Sequence, residues 1–237
     1  IQCIGRLEKW KSRYRDHFEP WVERMAETDA LISLATFHFN FPEFCFPDFT
    51  DAEMIKATAL GHPLIPVDHR VCNDFSIAGE EKIVMITGAN MAGKSTFLRT
   101  VGVNMVLAMT GAPVCASRFT VKPVAVFTSM RTSDSLLHHE SYFYAELKRI
   151  KTIVDELAQG RKMLIILDEI LKGTNSEDKH RGSQAVLERI FALGGTAIIA
   201  THDLDLAKSE SLFGGRMINL CFEIGIDGSE VSFDYKL

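Results

Sequence analysis

An apolar, β-branched stretch, Lys82–Thr87, runs directly into Gly-Ala-Asn-Met-Ala-Gly-Lys-Ser and then into a helical pattern from Ser95 to about Met109. Gly88, Gly93, Lys94 and Ser95 together satisfy G-x-x-x-x-G-K-[ST], the pattern of a loop that wraps phosphates. The chemistry needs those residue types in that order. Glycines permit a backbone that a β-carbon obstructs. The N–H groups of residues 88–96 (Gly88, Ala89, Asn90, Met91, Ala92, Gly93, Lys94, Ser95 and Thr96) then converge with a helix N-terminus on one point of partial positive charge. Lys94 is expected to reach the β- and γ-phosphates of a bound ATP, and the Ser95 hydroxyl to help hold Mg²⁺.

A loop of this kind implies strands that deliver polar residues to the same edge, and two candidates follow. Met163–Leu167 is an apolar run ending in Asp168 and Glu169, and Thr196–Ala200 is another ending in Thr201 and His202. In an open parallel sheet ligands sit at the carboxyl ends of the strands, so these residues are expected beside Lys94. Asp168 suits the Mg²⁺ shell together with Ser95. Glu169 suits the water that attacks in line, since phosphoryl transfer needs a positioned nucleophile more than covalent help. His202 suits sensing of the γ-phosphate.

Two further runs, Val124–Ser129 and Met217–Ile224, read as strands, and helical patterns separate most of the five. The alternation predicts a three-layer α/β sandwich around a mostly parallel sheet. Residues 1 to about 39 read as helical, with Leu7, Trp10, Tyr14, Phe18, Trp21 and Met25 on one stripe. Pro20 either opens a second helix or kinks a continuous one. The Phe-, Pro- and Asn-rich stretch from Phe39 to Phe49 reads as an irregular linker, which divides a helical segment at 1–39 from a domain at 40–237.

Charge and cysteine content exclude some partners. A net charge of -5 argues against this piece alone gripping a phosphate backbone. Five scattered cysteines with no C-x-x-C pair fit neither a disulfide framework nor a zinc site, and a reducing, cytoplasmic setting is expected. The sequence has no leader and no run of about 18 apolar residues, so no membrane contact is expected of it. It opens on Ile1 rather than Met, as expected of a piece of something longer.

Three segments, TGANMAGKSTFLRT, LDEILKGTNSEDK and ATHDLDL, together resemble the ATPase domain of the MutS mismatch-repair family, within the ABC-type P-loop ATPases. Asn90 and Met91 inside the loop separate it from transporter ATPases. SMRTSDSLLHHESYFYAEL resembles the family's segment that ends in a serine followed by a helix, and Gly61–Pro63 its approach to this domain. Residues 1–39 resemble the end of the family's lever helices.

The resemblance implies Mg²⁺-dependent ATP hydrolysis and a homodimer through the ATPase face. Each site is completed in trans by a serine, here Ser141, and DNA is held mainly by segments outside this chain. Asn73 resembles the adenine-side segment. Ala92 departs from the family, which usually has glycine there, and Leu171–Asn175 depart from its Arg-Gly-Thr-Ser; both mark a divergent branch. The competing expectations are an ABC transporter ATPase subunit and a nucleotide-gated scaffold that does not hydrolyse ATP.

Overall fold

The computed structural model describes residues 2–79, 82–130, 142–171, 175–208, 213–223, 225–227, 230–232 and 234–237. The chain separates into two compact units, residues 1–42 and 43–237. The first unit is one helix, α1 (Gln2–Asn40), which runs uninterrupted through Pro20. Rings along it pair at helical spacing: Trp10 with Tyr14 at 5.8 Å, Trp10 with Phe18 at 6.4 Å and Tyr14 with Trp21 at 5.6 Å. Of the two expectations for Pro20, the continuous helix holds.

The second unit carries β1 (Asp48–Phe49), β2 (Glu53–Leu60), β3 (Asn73–Ala78), β4 (Ile83–Gly88), α2 (Lys94–Met109), β5 (Arg118–Val121) and β6 (Ala125–Ser129). It continues with α3 (Tyr142–Ala158), β7 (Met163–Asp168), α4 (Ser176–Ala192), β8 (Thr196–Ala200), a short α5 (Leu204–Ala207) and β9 (Met217–Phe222), and the hairpin β10 (Gly225–Asp227) and β11 (Glu230–Ser232) follows. Strands β6, β7, β8, β4 and β9, in that spatial order, form one sheet in which every pairing is parallel. These are the five strands that the apolar runs predict.

Their sequences are apolar throughout because both faces of the sheet are covered. In β4, Val84 and Ile86 face a core shared with Leu98, Val101 and Met105 of α2, whereas Ile83 and Met85 face a second core containing Ile150 and Ile153 of α3 and Leu187 and Ile190 of α4. Strands β7 and β8 divide in the same way, with Leu164, Ile166, Ile198 and Ala200 on the α2 side and Ile165, Leu167, Ala197 and Ile199 on the other. The period of two in a strand thus produces the three layers.

A second, four-stranded sheet, in the order β1-β5-β2-β3, adds Ile55, Leu60, Phe75, Ile77 and Phe119 to the α2-side core. The linker expected to be irregular contributes to it, because β1 pairs with β5 and Cys45 forms an isolated bridge with Val114. All five cysteines are free thiols. Burial pushes Cys115 up to about 11.

Asn104 of α2 ties these parts together. Its fully buried side chain donates to the Gly61 carbonyl at 2.9 Å and the Thr100 carbonyl at 2.8 Å, and accepts from the Cys115 N–H at 2.7 Å. Replacing Asn104 with Leu keeps the approximate volume but strands a buried carbonyl and a buried N–H. Because each unsatisfied group costs roughly 1–3 kcal/mol, the expected destabilisation is about 2–4 kcal/mol. A lower urea midpoint at an unchanged slope is the measurement that checks it.

Candidate nucleotide site

Three strand ends of the parallel sheet meet at one edge. From β4 the chain turns through Ala89–Gly93 into α2, with Gly88, Met91 and Gly93 all at positive φ, +133°, +68° and +105°. Lys94 is buried in the first turn of α2, where its ammonium donates to the carbonyls of Gly88 at 2.7 Å and Ala89 at 2.6 Å. Burial pushes its pKa below the usual lysine range, against the opposing pull of the Glu169 and Asp168 carboxylates. The lysine therefore holds the loop curled and keeps its charge at the loop's mouth.

The end of β7 brings the acids. Ser95 Oγ donates to Asp168 Oδ1 at 3.0 Å, so the hydroxyl and the carboxylate expected to share a cation are already adjacent. Among the described residues, Asp168 Oδ2 is buried and has no hydrogen-bond partner. A buried carboxylate oxygen without a donor is costly, and an oxygen-seeking cation such as Mg²⁺ fits it.

Glu169 follows with φ +59°, an uncommon conformation for a residue with a side chain, and its N–H donates to the Ala200 carbonyl of β8 at 2.9 Å. The Glu169 carboxylate lies 3.4 Å from His202 Nε2 and 3.7 Å from Lys179 Nζ, both measured to Oε1. Leu171 is also left-handed, at φ +58°; its N–H donates to the buried Glu146 carboxylate of α3 at 2.8 Å.

These groups line a cleft of about 600 Å³ bounded by Asn90, Met91, Gly93, Lys94, Ser95, Thr96, Asp168, Glu169, His202 and Tyr235. The structure therefore brings together Lys94, Ser95, Thr96, Asp168, Glu169 and His202. Ala92 packs in the core and, like Gly88 and Ala89, is not among the residues that line the cleft. Ser141 lies outside the described residues.

A second cleft, of about 290 Å³, adjoins the first and shares Gly93, Thr96 and Tyr235 with it. His62, His69, Asn73 and Phe97 are among its walls. Burial, then the charges of Arg99 and Arg70, lower the pKa of His62, which favours its neutral form at neutral pH.

Asn73 reaches the site through the C-terminal tail. Its amide donates to the Tyr235 carbonyl at 3.1 Å, its carbonyl oxygen accepts from the Leu237 N–H at 2.9 Å, and the neighbouring Cys72 carbonyl accepts from Lys236 Nζ at 2.7 Å. The clasp sets the Tyr235 ring so close over Gly93 that a β-carbon there would lie 3.1 Å from Tyr235 Cδ1. Tyr235 stands outside every motif, and Lys179, although it ends LDEILKGTNSEDK, is given no role by it, because each reaches the site through tertiary packing. An aromatic or a cation a few residues beyond a strand or cap is too common a pattern to have found them.

A five-stranded parallel sheet with helices on both faces, and a glycine-bounded loop running from a strand end into a helix, define a P-loop NTPase fold. The family model described as MutS domain V matches residues 84–237. The chain is 31% identical over 224 residues to the DNA mismatch repair protein MSH3 of Phaeosphaeria nodorum, an alignment covering 91% of this chain and 20% of that protein. It is 32% identical over 220 residues to DNA mismatch repair protein MutS of Chlorobium phaeovibrioides, covering 90% and 25% respectively. To DNA mismatch repair protein MSH6 of Arabidopsis thaliana it is 35% identical over 249 residues, covering 95% and 18%. The chain belongs to the MutS domain V family. It spans between 18% and 25% of the length of these three relatives. Among the described residues no helix is long and apolar enough to cross a membrane.

Proposed function

We propose that this chain is the ATP-binding and ATP-hydrolysing part of a MutS-like DNA mismatch repair protein. The observation that carries the proposal is the Ser95–Asp168 pair at 3.0 Å with Asp168 Oδ2 buried and unpartnered, set between Lys94 and Glu169. In this reading Ser95 and Asp168 hold Mg²⁺, which when bound neutralises charge on the phosphate oxygens.

Lys94 exchanges its two loop carbonyls for the β- and γ-phosphate oxygens. Glu169 accepts a proton from the attacking water as that oxygen bonds to the γ-phosphorus. The bond to the β–γ bridging oxygen breaks, leaving ADP and phosphate. His202, 3.4 Å from Glu169, keeps that carboxylate at the cleft and faces the terminal phosphate. The neighbouring cleft under Tyr235, with the neutral His62 and Asn73 in its walls, receives the adenine.

The names of the relatives support a DNA-repair setting, with DNA held mainly by segments outside this chain. A homodimer through the ATPase face would add Ser141 of a second copy to each site, and ATP binding and loss would close and reopen that pair as a switch. A cytoplasmic location follows from this reading.

Calorimetric titration tests the nucleotide half of the proposal. The chain is expected to bind ATP in a Mg²⁺-dependent manner. Lys94→Ala is expected to weaken binding about 10- to 100-fold, the size of one or two lost charge-assisted hydrogen bonds, and Asp168→Asn to remove the Mg²⁺ dependence. Absence of Mg-ATP binding by the unmutated chain would overturn it.

A further inference from the structure

Lys179 is the last residue of the LDEILKGTNSEDK segment that carries the acids, and it places a cation 3.7 Å from the Glu169 carboxylate. Its position is built rather than incidental. Helix α4 opens at an Asn175 cap whose side chain accepts from the Asp178 N–H at 2.9 Å and donates to the Asp178 carboxylate at 2.7 Å, so the first turn is fixed from both ends. The Lys179 N–H closes that turn on the Asn175 carbonyl at 2.9 Å.

The next residue, His180, docks the turn against another element through a 2.7 Å contact between Nδ1 and Asp203 Oδ2. Asp203 caps α5 and immediately follows His202. Burial raises the Asp203 pKa, but hydrogen bonds from His180 and the Leu206 N–H outweigh it and hold the carboxyl below its ordinary value. One anchored junction therefore brings two side chains to Glu169 Oε1, His202 from the strand edge and the Lys179 ammonium from α4.

We infer that Lys179 is a positioning residue for hydrolysis: it holds the Glu169 carboxylate, with His202, in the orientation that takes a proton from the attacking water. At 3.7 Å the contact is Coulombic rather than a hydrogen bond, so it aims the carboxylate without occupying a lone pair that must accept the proton. Both side chains are largely shielded, with the Lys179 side chain 26% and the Glu169 side chain 19% exposed, so solvent screens the pair less than it would a surface pair. Glu169 needs such steering because its backbone is held at φ +59° and only its side-chain torsions remain to set the carboxylate. The inference rests on the hydrolytic reading of Glu169 proposed above.

Single-turnover hydrolysis of γ-labelled ATP, with the whole chain in excess over nucleotide, is the test, alongside Mg-ATP affinity measured separately. Lys179→Ala is expected to slow hydrolysis about 10-fold or more while affinity stays within about two-fold. Lys179→Arg is expected to recover most of the rate, because the positive charge returns. In a Glu169→Gln background, Lys179→Ala is expected to add no further loss, the signature of two residues acting as one unit. An undiminished rate in Lys179→Ala, a matching loss of affinity, failure of the arginine variant to recover, or a fully additive loss on Glu169→Gln overturns the inference. If the unmutated chain does not hydrolyse ATP, or if Glu169→Gln hydrolyses it normally, the hydrolytic reading fails as well. A slow Glu169→Gln beside a fast Lys179→Ala removes the role of Lys179 alone.

Discussion

Glu169→Gln is expected to leave Mg-ATP affinity nearly unchanged and to slow hydrolysis about 10²- to 10⁴-fold, the usual contribution of a positioned general base. The substitution preserves size and hydrogen-bonding reach, and the backbone N–H that anchors the residue to the Ala200 carbonyl is untouched. It removes the acceptor for a proton and the charge that faces Lys179 and His202. Groups expected to bind phosphate, Lys94 and the loop N–H donors, are separate from it. The expected pattern is therefore a fall in kcat without a matching rise in Kd. Rapid-quench measurement of phosphate formation, paired with equilibrium binding, checks both halves. A variant that hydrolyses ATP at the unmutated rate would show that another group accepts the proton.

Gly88→Ala has the largest expected effect on the folded state. At φ +133° the residue occupies backbone space that side chains rarely enter, and a β-carbon would lie 2.7 Å from the Phe222 carbonyl oxygen. That oxygen belongs to β9, which pairs with β4 at this point, so it cannot move aside without opening the sheet. A loss of about 3 kcal/mol or more is expected, together with loss of Mg-ATP binding, because the same residue starts the phosphate loop. Gly160→Ala is the matched control. It also has positive φ, +80°, but its added β-carbon meets nothing within 4 Å. The strain alone there is expected to cost about 1 kcal/mol. Thermal unfolding of the two variants separates the steric from the conformational penalty.

The parallel sheet was readable because its strands are buried on both faces. Ile83–Ile86, Leu164–Leu167 and Ala197–Ala200 could be nothing but apolar, and Asp168 and His202 stand out where those runs stop. The second sheet lacked that signal. Strand β3 alternates buried and exposed residues over the short span Asn73–Ala78, β2 does so only in part, and β5 pairs with β2 from far along the chain, Arg118 with Thr58. Such half-exposed strands resemble turns until their partners are known. Asn73 illustrates the difference. The resemblance implies a nucleotide contact for it, and the hydrogen bonds from its side chain to the tail that carries Tyr235 have no signal in the sequence. Pro20 was ambiguous because proline both opens and distorts helices, and only the observed run from Gln2 to Asn40 decides between them. Lys179 was hidden for a different reason. It stands in the LDEILKGTNSEDK segment, but its approach to Glu169 goes with the His180–Asp203 contact beside it, a pairing across 23 residues that no local spacing encodes.

The clasp between Asn73 and the tail spans 162 residues, nearly the whole second unit. Closing a chain of that length costs entropy, and the sheets that bring Asn73 and the tail within reach offset it. The Tyr235 cover over Gly93 thus depends on hydrogen bonds made by Asn73 rather than on the loop that it covers, so either can be lost without the other.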